Sequence, residues 1–564
     1  DPSRARLTPL RLPFRGALSG EAHRFFLQPA SVPRPDTHPV IPLPPFRTSG
    51  LPPFFAPYNW LFPRKICIFA GYIAFMLEKL ARQTAVYGIS TIVVRFLGYL
   101  LTPYYTRIFG TETYGIVSDI YSLIPLALTL LTMGMESSYF RFSAKAEEAG
   151  GDVAAAKRRL FATTWGATSL AALLFFVAAV VWRDAASHAL GEAYVAHPEY
   201  AVWVAAIILF DVWSCIPFSR LREQGRSLTF VGFKLMNVVL NVALAVGFGL
   251  AGLYATPFGV GWVFVANFAA SAATWLAILT TAGRTVPRLS LPVLRAVFAY
   301  SLPLLVSGLA GTASEFIDRQ MIKYLVPHEA MSQVGIYGAI TKIAVVMMLF
   351  YQMYRLAAEP FFLSNFRKSD FVQMNAAALK YYVLASMVIF LGIALFRDLF
   401  ALIVGRDFRE GIYILPVVLG ANVLAGVWLN LSFWYKREER TRLAILITGT
   451  GLAATLLAGT TLVPRWGYYG AAWARLAGEA SMVAVSWWLN RRFFPTPYDW
   501  RRIGEYAVVA LGVFFLCEEA TALIDNKWLA RAFALTAFCG YGFYAVRRER
   551  IDLRALLRSA LRRG

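Results

Sequence analysis

Long apolar segments separated by short polar ones recur along the sequence from about residue 85 almost to the C terminus. Each is about 20 residues long, the length that a helix needs to cross the roughly 30 Å hydrocarbon core of a bilayer. The pattern predicts an all-α polytopic membrane protein with about fourteen transmembrane helices. The predicted spans are 85–108, 115–140, 160–182, 199–217, 231–253, 258–282, 297–322, 334–354, 381–404, 411–435, 443–463, 468–490, 503–517 and 528–546.

Lys and Arg are distributed unevenly between the two sets of loops. One set holds 32 of them, whereas the opposite loops and the adjoining helix ends hold eight. Because cytoplasmic loops are enriched in Lys and Arg, this bias predicts that both termini lie in the cytoplasm. It also accounts for the formal net charge of +22 without nucleic acid as a partner. The Arg-rich C-terminal tail is expected to lie along an anionic membrane surface.

Composition and loop length exclude several classes of protein. Hydrophobic residues make up 58% of the chain and charged residues 16%, which is incompatible with a water-soluble fold. The four cysteines and five histidines show no metal-ligand spacing, and no GxxxxGK[ST] sequence is present. The longest predicted outer loop has fewer than twenty residues, which leaves no room for a catalytic domain outside the membrane. We therefore expect a protein that is not an enzyme and acts within the membrane.

The first 75 residues differ from the rest of the chain. They contain 14 of the 28 prolines and nine Lys or Arg against three acidic residues. Such a segment cannot maintain a helix or build a packed core. The first methionine of the sequence is Met76. We interpret residues 1–75 as a disordered Pro-rich extension or a translated leader upstream of the natural start, with a transit peptide as the alternative.

A weak internal repeat relates the two halves of the chain. Residues 114–142 can be laid over residues 334–362 with an offset of 220, and both segments contain the second helix of a predicted six-helix unit. Because six is an even number, the two units have the same orientation, which makes this a parallel repeat. The predicted domains are an N-terminal six-helix lobe at 76–290, a C-terminal six-helix lobe at 291–495, and two extra helices with a basic cytoplasmic tail at 496–564. Two lobes around a central cavity are typical of a transporter.

Charged residues inside the predicted spans are the candidate functional residues, since each costs about 2.5–3.5 kcal/mol at a helix centre. Cations among them would attract phosphate, and carboxylates would bind Na⁺ or a proton. The charged residues are Arg95, Asp119, Asp211, Glu315, Asp318, Arg319, Lys342, Arg475 and Glu479.

Structural explanations of these charges stay open. Glu315 with Arg319, and Arg475 with Glu479, are four residues apart and could neutralise each other on one helix face. Asp318, Arg319 and Lys323 lie near the outer end of their helix and could extend to the membrane surface. Lys234, at the beginning of its span, is interpreted as an interfacial anchor.

Several segments resemble bacterial oligosaccharide flippases of the Wzx type, which belong to the multidrug/oligosaccharidyl-lipid/polysaccharide exporter superfamily. The longest segment is RFLGYLLTPYYTRIFGTETYGIVSDIYSLIPLALTLLTMGMESSYFRF, at 95–142. The other segments lie at 307–325, 334–362, 404–442, 467–483 and 495–502. The resemblance covers about residues 80–503.

The resemblance implies a flippase for lipopolysaccharide, O-antigen or another surface polysaccharide. It would move a polyprenyl-pyrophosphate-linked oligosaccharide across the bacterial inner membrane by alternating access, with polysaccharide polymerase and glycosyltransferase partners. On this interpretation Arg95, Lys342 and Arg475 bind the substrate. Asp119, Glu315 and Asp211 are the candidates for coupling to Na⁺ or H⁺, and no cofactor is expected. The alternatives are a multidrug or lipid II exporter and, in another class, a membrane glycosyltransferase or polysaccharide polymerase.

Overall fold

A computed structural model describes residues 97–283, 285–366, 370–438, 440 and 442–549. This part of the chain is helical and contains no β-strand. The helices are α1 (Leu101–Ile108), α2 (Thr111–Thr132), α3 (Met135–Ala149), α4 (Val153–Val181), α5 (Arg183–Leu190), α6 (Glu199–Glu223), α7 (Ser227–Leu250), α8 (Gly261–Ala282), α9 (Leu291–Leu325), α10 (Ala330–Ile343), α11 (Val345–Asn365), α12 (Phe371–Ala394), α13 (Arg397–Phe400), α14 (Leu415–Leu431), α15 (Phe433–Arg437), α16 (Arg442–Trp466), α17 (Tyr468–Phe493), α18 (Trp500–Leu523) and α19 (Lys527–Arg548).

The helices confirm an all-α, multi-pass membrane protein but not the count of fourteen spans. Among the described residues, ten helices are long and apolar enough to cross a membrane, or eleven if the bent pair α10 and α11 forms one span. Residues 85–96 of the first predicted span lie outside the described residues, as do residues 1–75. Helices α9 and α17 are long enough to cross but carry several charged residues, which lower their hydropathy.

Local sequence explains where several helices begin. The Asp152 side chain accepts a hydrogen bond from the Ala155 backbone N–H at the start of α4, and Asn526 caps α19 in the same way. Such caps satisfy N–H groups that have no partner within the helix. Pro292 and Pro416 lie in the first turns of α9 and α14, where the missing N–H costs no helical hydrogen bond.

Helices of the N-terminal half pack mainly on one another, and so do those of the C-terminal half. Helices α4, α7 and α8 pack around α6, and α16 and α17 form a close pair beside α14. Helices α18 and α19 pack on each other and on α12. Helix α2 contacts both α9 and α10, so it joins the two halves. We call the two ends of the bundle inner and outer, after the orientation that the Lys and Arg distribution predicts.

The contact between α2 and α10 is reciprocal. A Cβ added to Gly115 would lie 2.0 Å from the Met331 carbonyl oxygen, and one added to Gly335 would lie 2.0 Å from the Thr111 carbonyl oxygen. Each residue is matched by the one 220 positions away, which is the offset of the sequence repeat. Glycine at both positions allows the two backbones to approach closely, as in other membrane helix pairs. The offset of the sequence repeat therefore recurs in one reciprocal contact near the outer end.

Candidate functional site

A cavity of about 630 Å³ lies on the inner side of the bundle. Helices α2, α3, α6, α7, α8 and α9 line it, so it lies mostly within the N-terminal half and is closed on one side by the first helix of the C-terminal half. Its lining residues are Leu128, Thr129, Thr132, Gly134, Glu136, Ser137, Asp211, Ser214, Cys215, Phe218, Arg222, Phe230, Lys234, Asn237, Thr274, Leu304, Leu305 and Gly308. We call it the inner cavity.

A helix break places polar groups at the mouth of the inner cavity. Met133 and Gly134 both adopt left-handed backbone conformations between α2 and α3. A Cβ at Gly134 would lie 2.9 Å from the Ser301 carbonyl oxygen, so this turn requires glycine. Glu136, just after the break, accepts hydrogen bonds from Arg222 at 3.0 Å and from the Cys215 thiol at 2.6 Å.

Deeper in the cavity the lining is polar but mixed in charge. Asp211 lies twelve residues before the end of α6, which corresponds to a depth of about 18 Å at 1.5 Å per residue. Ser271 hydrogen bonds to the Asp211 carboxylate, and Lys234 is close enough to interact with it electrostatically. The Lys234 ammonium lies 4.2 Å from the centre of the Phe218 ring.

Amide and hydroxyl groups complete this polar wall. The Asn237 amide donates to the Thr274 hydroxyl at 3.1 Å. The hydroxyl of Ser214 is buried without a hydrogen-bond partner among the described residues, as is the Asn241 carbonyl oxygen one helical turn beyond Asn237. Buried polar atoms normally find partners; of these two residues, Ser214 lines the inner cavity and Asn241 does not.

A separate group of buried polar and charged side chains lies near the outer end of the bundle. Asp119 on α2 is 3% exposed and accepts hydrogen bonds from Lys323 at 2.5 Å, Gln320 at 2.6 Å and Tyr194 at 2.7 Å. Together with the reciprocal glycine pair, these four side chains form what we call the outer contact. It joins the N-terminal half to α9, so it holds the two halves together at this end.

A second buried ion pair lies beside the outer contact. Asp318 on α9 is fully buried and accepts hydrogen bonds from Tyr337 at 2.9 Å and from Arg475 at 3.2 Å. The neighbouring Arg319 donates to the Ser118 hydroxyl on α2 at 3.1 Å. Glu479 lies near Arg475 and Asp318. The interpretation that Asp318, Arg319 and Lys323 extend to the membrane surface is therefore wrong, because all three are buried against other helices.

The predicted site residues do not share one cavity in the described part of the chain. Asp211 lines the inner cavity, whereas Asp119 and Arg475 are ion-paired near the outer end. Lys342 lies at the bend between α10 and α11, with its ammonium 4.8 Å from the centre of the Tyr99 ring. Arg95 and the Glu315 side chain lie outside the described residues. The substrate and coupling roles assigned to these six residues remain predictions.

The sequence interpretation also misplaced Lys234. It lies seven residues after the start of α7, about 10 Å along the helix axis, and lines the cavity rather than anchoring the helix at the membrane surface. The signal was present in the sequence: Asn237 and Asn241 recur at helical spacing after Lys234, which marks one polar face on an apolar helix.

Comparison with protein families identifies a relationship over half of the chain. The family model described as "Polysaccharide biosynthesis protein" matches residues 80–366. This range includes the whole lining of the inner cavity and the outer contact. It confirms the resemblance drawn from the sequence. A search of curated proteins returned no match.

Solved structures share the fold at low sequence identity. The lipid II flippase MurJ in an inward closed conformation has a TM-score of 0.64 at 13% identity, covering 82% of this chain and 99% of the MurJ chain. An inward-facing multidrug resistance MATE transporter of the MOP superfamily has a TM-score of 0.58 at 15% identity, covering 72% and 94%. The MATE transporter DinF-BH, solved in complex with R6G, has a TM-score of 0.55 at 16% identity, covering 74% and 95%. These likenesses establish the fold.

Proposed function

Because this chain belongs to the polysaccharide biosynthesis protein family, we propose that it moves a polyprenyl-pyrophosphate-linked oligosaccharide across the bacterial inner membrane. The direction is from the cytoplasmic to the outer leaflet, with both termini of the protein in the cytoplasm. Polysaccharide polymerase and glycosyltransferases are the expected partners. The fold of the protein is that of transporters, which favours movement of the substrate over its chemical conversion.

The observation that supports this function best is the inner cavity. A glycan and a pyrophosphate cannot enter hydrocarbon without losing their hydrogen bonds to water, at a cost of several kcal/mol for each polar group. The cavity offers amide, hydroxyl and carboxylate groups for sugar hydroxyls, and Lys234 and Arg222 for phosphate oxygens. The polyprenyl chain has no need of such a cavity, because it can stay in the surrounding lipid.

The positions of the cavity and the outer contact support alternating access. In this conformation the solute-binding space lies on the inner side, while Asp119, Lys323 and the close glycine pair hold the outer side shut. Release to the outer leaflet requires the outer contact to separate. The proposed transport cycle therefore exchanges an inner opening for an outer one.

An ion gradient would drive the cycle, since the sequence has no P-loop for ATP. We propose Na⁺ or H⁺ as the coupling ion and keep Asp119, Asp211 and Glu315 as candidate coupling carboxylates. Asp211 is favoured among them because it lines the inner cavity.

Reconstitution into proteoliposomes tests this function. Full-length protein should move an undecaprenyl-pyrophosphate-linked oligosaccharide between leaflets, measured as exposure of the glycan to a glycosidase outside the vesicle. The Lys234→Gln variant should lose at least tenfold in rate with unchanged thermal stability, because Lys234 lies at the cavity surface. Lys527→Gln, an exposed lysine at the start of α19, is the matched control. Equal rates for wild type and Lys234→Gln would contradict this use of the cavity.

The substrate supplied to the proteoliposomes distinguishes the proposed function from related export functions. The MurJ and DinF-BH likenesses make lipid II and a drug such as R6G the two alternative substrates. If either is moved while the lipid-linked oligosaccharide is not, the proposed substrate is wrong. Chemical conversion of the lipid-linked oligosaccharide, detected by mass spectrometry of the recovered lipid, would instead indicate a glycosyltransferase or polymerase.

A further inference from the structure

A second cavity lies at the inner end of the bundle, apart from the first. Its volume is about 530 Å³, and it lies between the first turns of α4 and the segment that connects the two halves. We call it the linker site. Its lining residues are Arg159, Ala162, Thr163, Arg288, Leu289, Ser290, Leu291 and Pro292.

Backbone and side-chain bonds hold the connecting segment on α4. The Arg288 backbone N–H donates to the Ala162 carbonyl oxygen at 3.0 Å. Arg159 donates to the Ser290 hydroxyl through Nε at 3.1 Å and Nη2 at 2.9 Å. Gly166 allows this close approach, because a Cβ there would lie 3.2 Å from the Arg288 nitrogen. The two arginines are therefore brought to one cavity from different parts of the chain.

The linker site combines charge, a buried hydroxyl and apolar surface. The Thr163 side chain is 1% exposed, and its hydroxyl has no hydrogen-bond partner among the described residues. Leu289 and Leu291, on the rim, are 51% and 80% exposed. In a membrane protein, exposed leucines beside arginines at the end of a bundle correspond to the boundary between lipid headgroups and acyl chains.

We propose that the linker site binds an anionic phospholipid. Arg159 and Arg288 bind the headgroup phosphate, the Thr163 hydroxyl donates to one of its oxygens, and an acyl chain covers Leu289 and Leu291. Guanidinium groups suit phosphate oxygens because they offer two parallel hydrogen bonds. Basic pockets between membrane helices on the cytoplasmic side are known sites for anionic lipid headgroups. Since the site includes the connection between the two halves, a bound lipid would stabilise their arrangement. This proposal does not depend on the transported substrate.

The test is lipid binding by the full-length protein. Native mass spectrometry would measure retention of phosphatidylglycerol, and thermal unfolding would be followed in nanodiscs of phosphatidylcholine with and without phosphatidylglycerol. Affinity should fall about fivefold for each arginine replaced, so about twenty-fivefold in Arg159→Gln/Arg288→Gln. Thr163→Val should weaken binding less. The control is Arg158→Gln, since Arg158 is an exposed neighbour on α4 that does not line the cavity.

Each outcome decides the proposal. The site is supported if the double variant loses both phosphatidylglycerol binding and the gain in thermal stability that phosphatidylglycerol gives over pure phosphatidylcholine, while Arg158→Gln behaves like wild type. An equal loss in Arg158→Gln would indicate diffuse surface charge and overturn it. Equal protection by inorganic phosphate would overturn the role of the lipid. Preferential retention of undecaprenyl phosphate over phosphatidylglycerol would assign the cavity to a polyprenyl carrier instead.

Discussion

The outer contact and the inner cavity contain the same kinds of charged side chain in different surroundings. At the outer contact, Asp119 and Lys323 are at most 6% exposed and bonded to each other across two helices. In the inner cavity, Asp211 and Lys234 lie near each other but line an open space. Each region carries as many negative as positive side chains, namely Asp119 with Lys323 at the outer contact, and Glu136 and Asp211 with Arg222 and Lys234 in the inner cavity, so formal charge does not distinguish them.

The two regions differ in how a charge in each would be compensated if its partner were removed. A buried ion pair is strongly destabilised when one partner is removed, because the other is left uncompensated away from water. A charge that borders a cavity can be solvated by water or by a ligand. The outer contact is therefore suited to holding the two halves together, and the inner cavity to binding a solute.

Replacing Lys323 by Met should strongly destabilise the protein. Asp119 would remain buried with Gln320 and Tyr194 as donors but without a neutralising cation. We expect a loss of about 3–5 kcal/mol in the free energy of unfolding. The measurement is thermal unfolding of the purified protein in nanodiscs, with Lys527→Met as the surface control.

A double variant shows whether the cost comes from the unpaired charge. Asp119→Asn with Lys323→Met removes both charges and should recover most of the lost stability. If the double variant is as unstable as Lys323→Met alone, the lysine stabilises the contact by packing, and the distinction between the two regions based on ion pairing is wrong.

Replacing Gly335 by Ala should weaken the outer contact sterically, without changing any charge. The new Cβ would lie 2.0 Å from the Thr111 carbonyl oxygen, so α2 and α10 must separate. Overpacking of this kind typically costs about 1–3 kcal/mol. Separation at the outer end should close the inner cavity, which would slow the reaction of Cys215 with a water-soluble thiol reagent.

Thiol labelling requires a background in which Cys215 is the only cysteine. Cys67, Cys517 and Cys539 would therefore be replaced by Ser. Gly512→Ala on α18 is the matched control, because a Cβ there meets nothing within 4 Å. Unchanged labelling in Gly335→Ala, despite normal folding, would mean that the outer contact and the inner cavity open independently.

The helices could be predicted from the sequence because a span is a local property. An apolar run predicts a span at 160–182, and the structure has α4 at Val153–Val181. The partners of the charges could not be predicted in this way. Lys323 and Asp119 are 204 residues apart, and Arg475 and Asp318 are 157 apart, so only tertiary packing brings them together. Spacing along the sequence predicts ion-pair partners only where both residues lie on the same helix.

The inner cavity was only partly predictable for a related reason. Charge inside a span identified Asp211, whereas Lys234 was assigned to the membrane surface because it lies near the beginning of its span. The position of a residue along a helix does not determine which neighbouring helix it faces. The break at Met133 and Gly134, which brings Glu136 to the cavity, depends on the approach of α9 to α3 and has no clear signal in the local sequence.

A third ion cluster, away from both regions, provides a test of whether burial of charge alone explains the outer contact. Glu549, just after α19, accepts hydrogen bonds from Lys380 on α12 at 2.5 Å and from Arg502 on α18 at 3.2 Å, and Tyr506 also donates to it. Burial by itself would raise the pKa of Glu549, but the hydrogen bonds from Lys380 and Tyr506 lower this pKa to about 2. The cluster lies within one half and its added helices, so it does not join the two halves.

Glu549→Gln should therefore lower stability without changing access to the inner cavity. Because the pKa is below the ordinary value of 4.5, the carboxylate stabilises the folded protein above pH 4.5, and this contribution is lost as the pH falls towards 2. We expect the free energy of unfolding to fall by about 1–2 kcal/mol at pH 7, a range that allows for solvent screening at the half-exposed Arg502. At pH 3 the difference from wild type should be smaller. Thermal unfolding at both pH values measures this, with the exposed Glu519→Gln as control. Slower labelling of Cys215 in Glu549→Gln would show that any lost ion cluster perturbs the cavity, and the special role of the outer contact would then have to be abandoned.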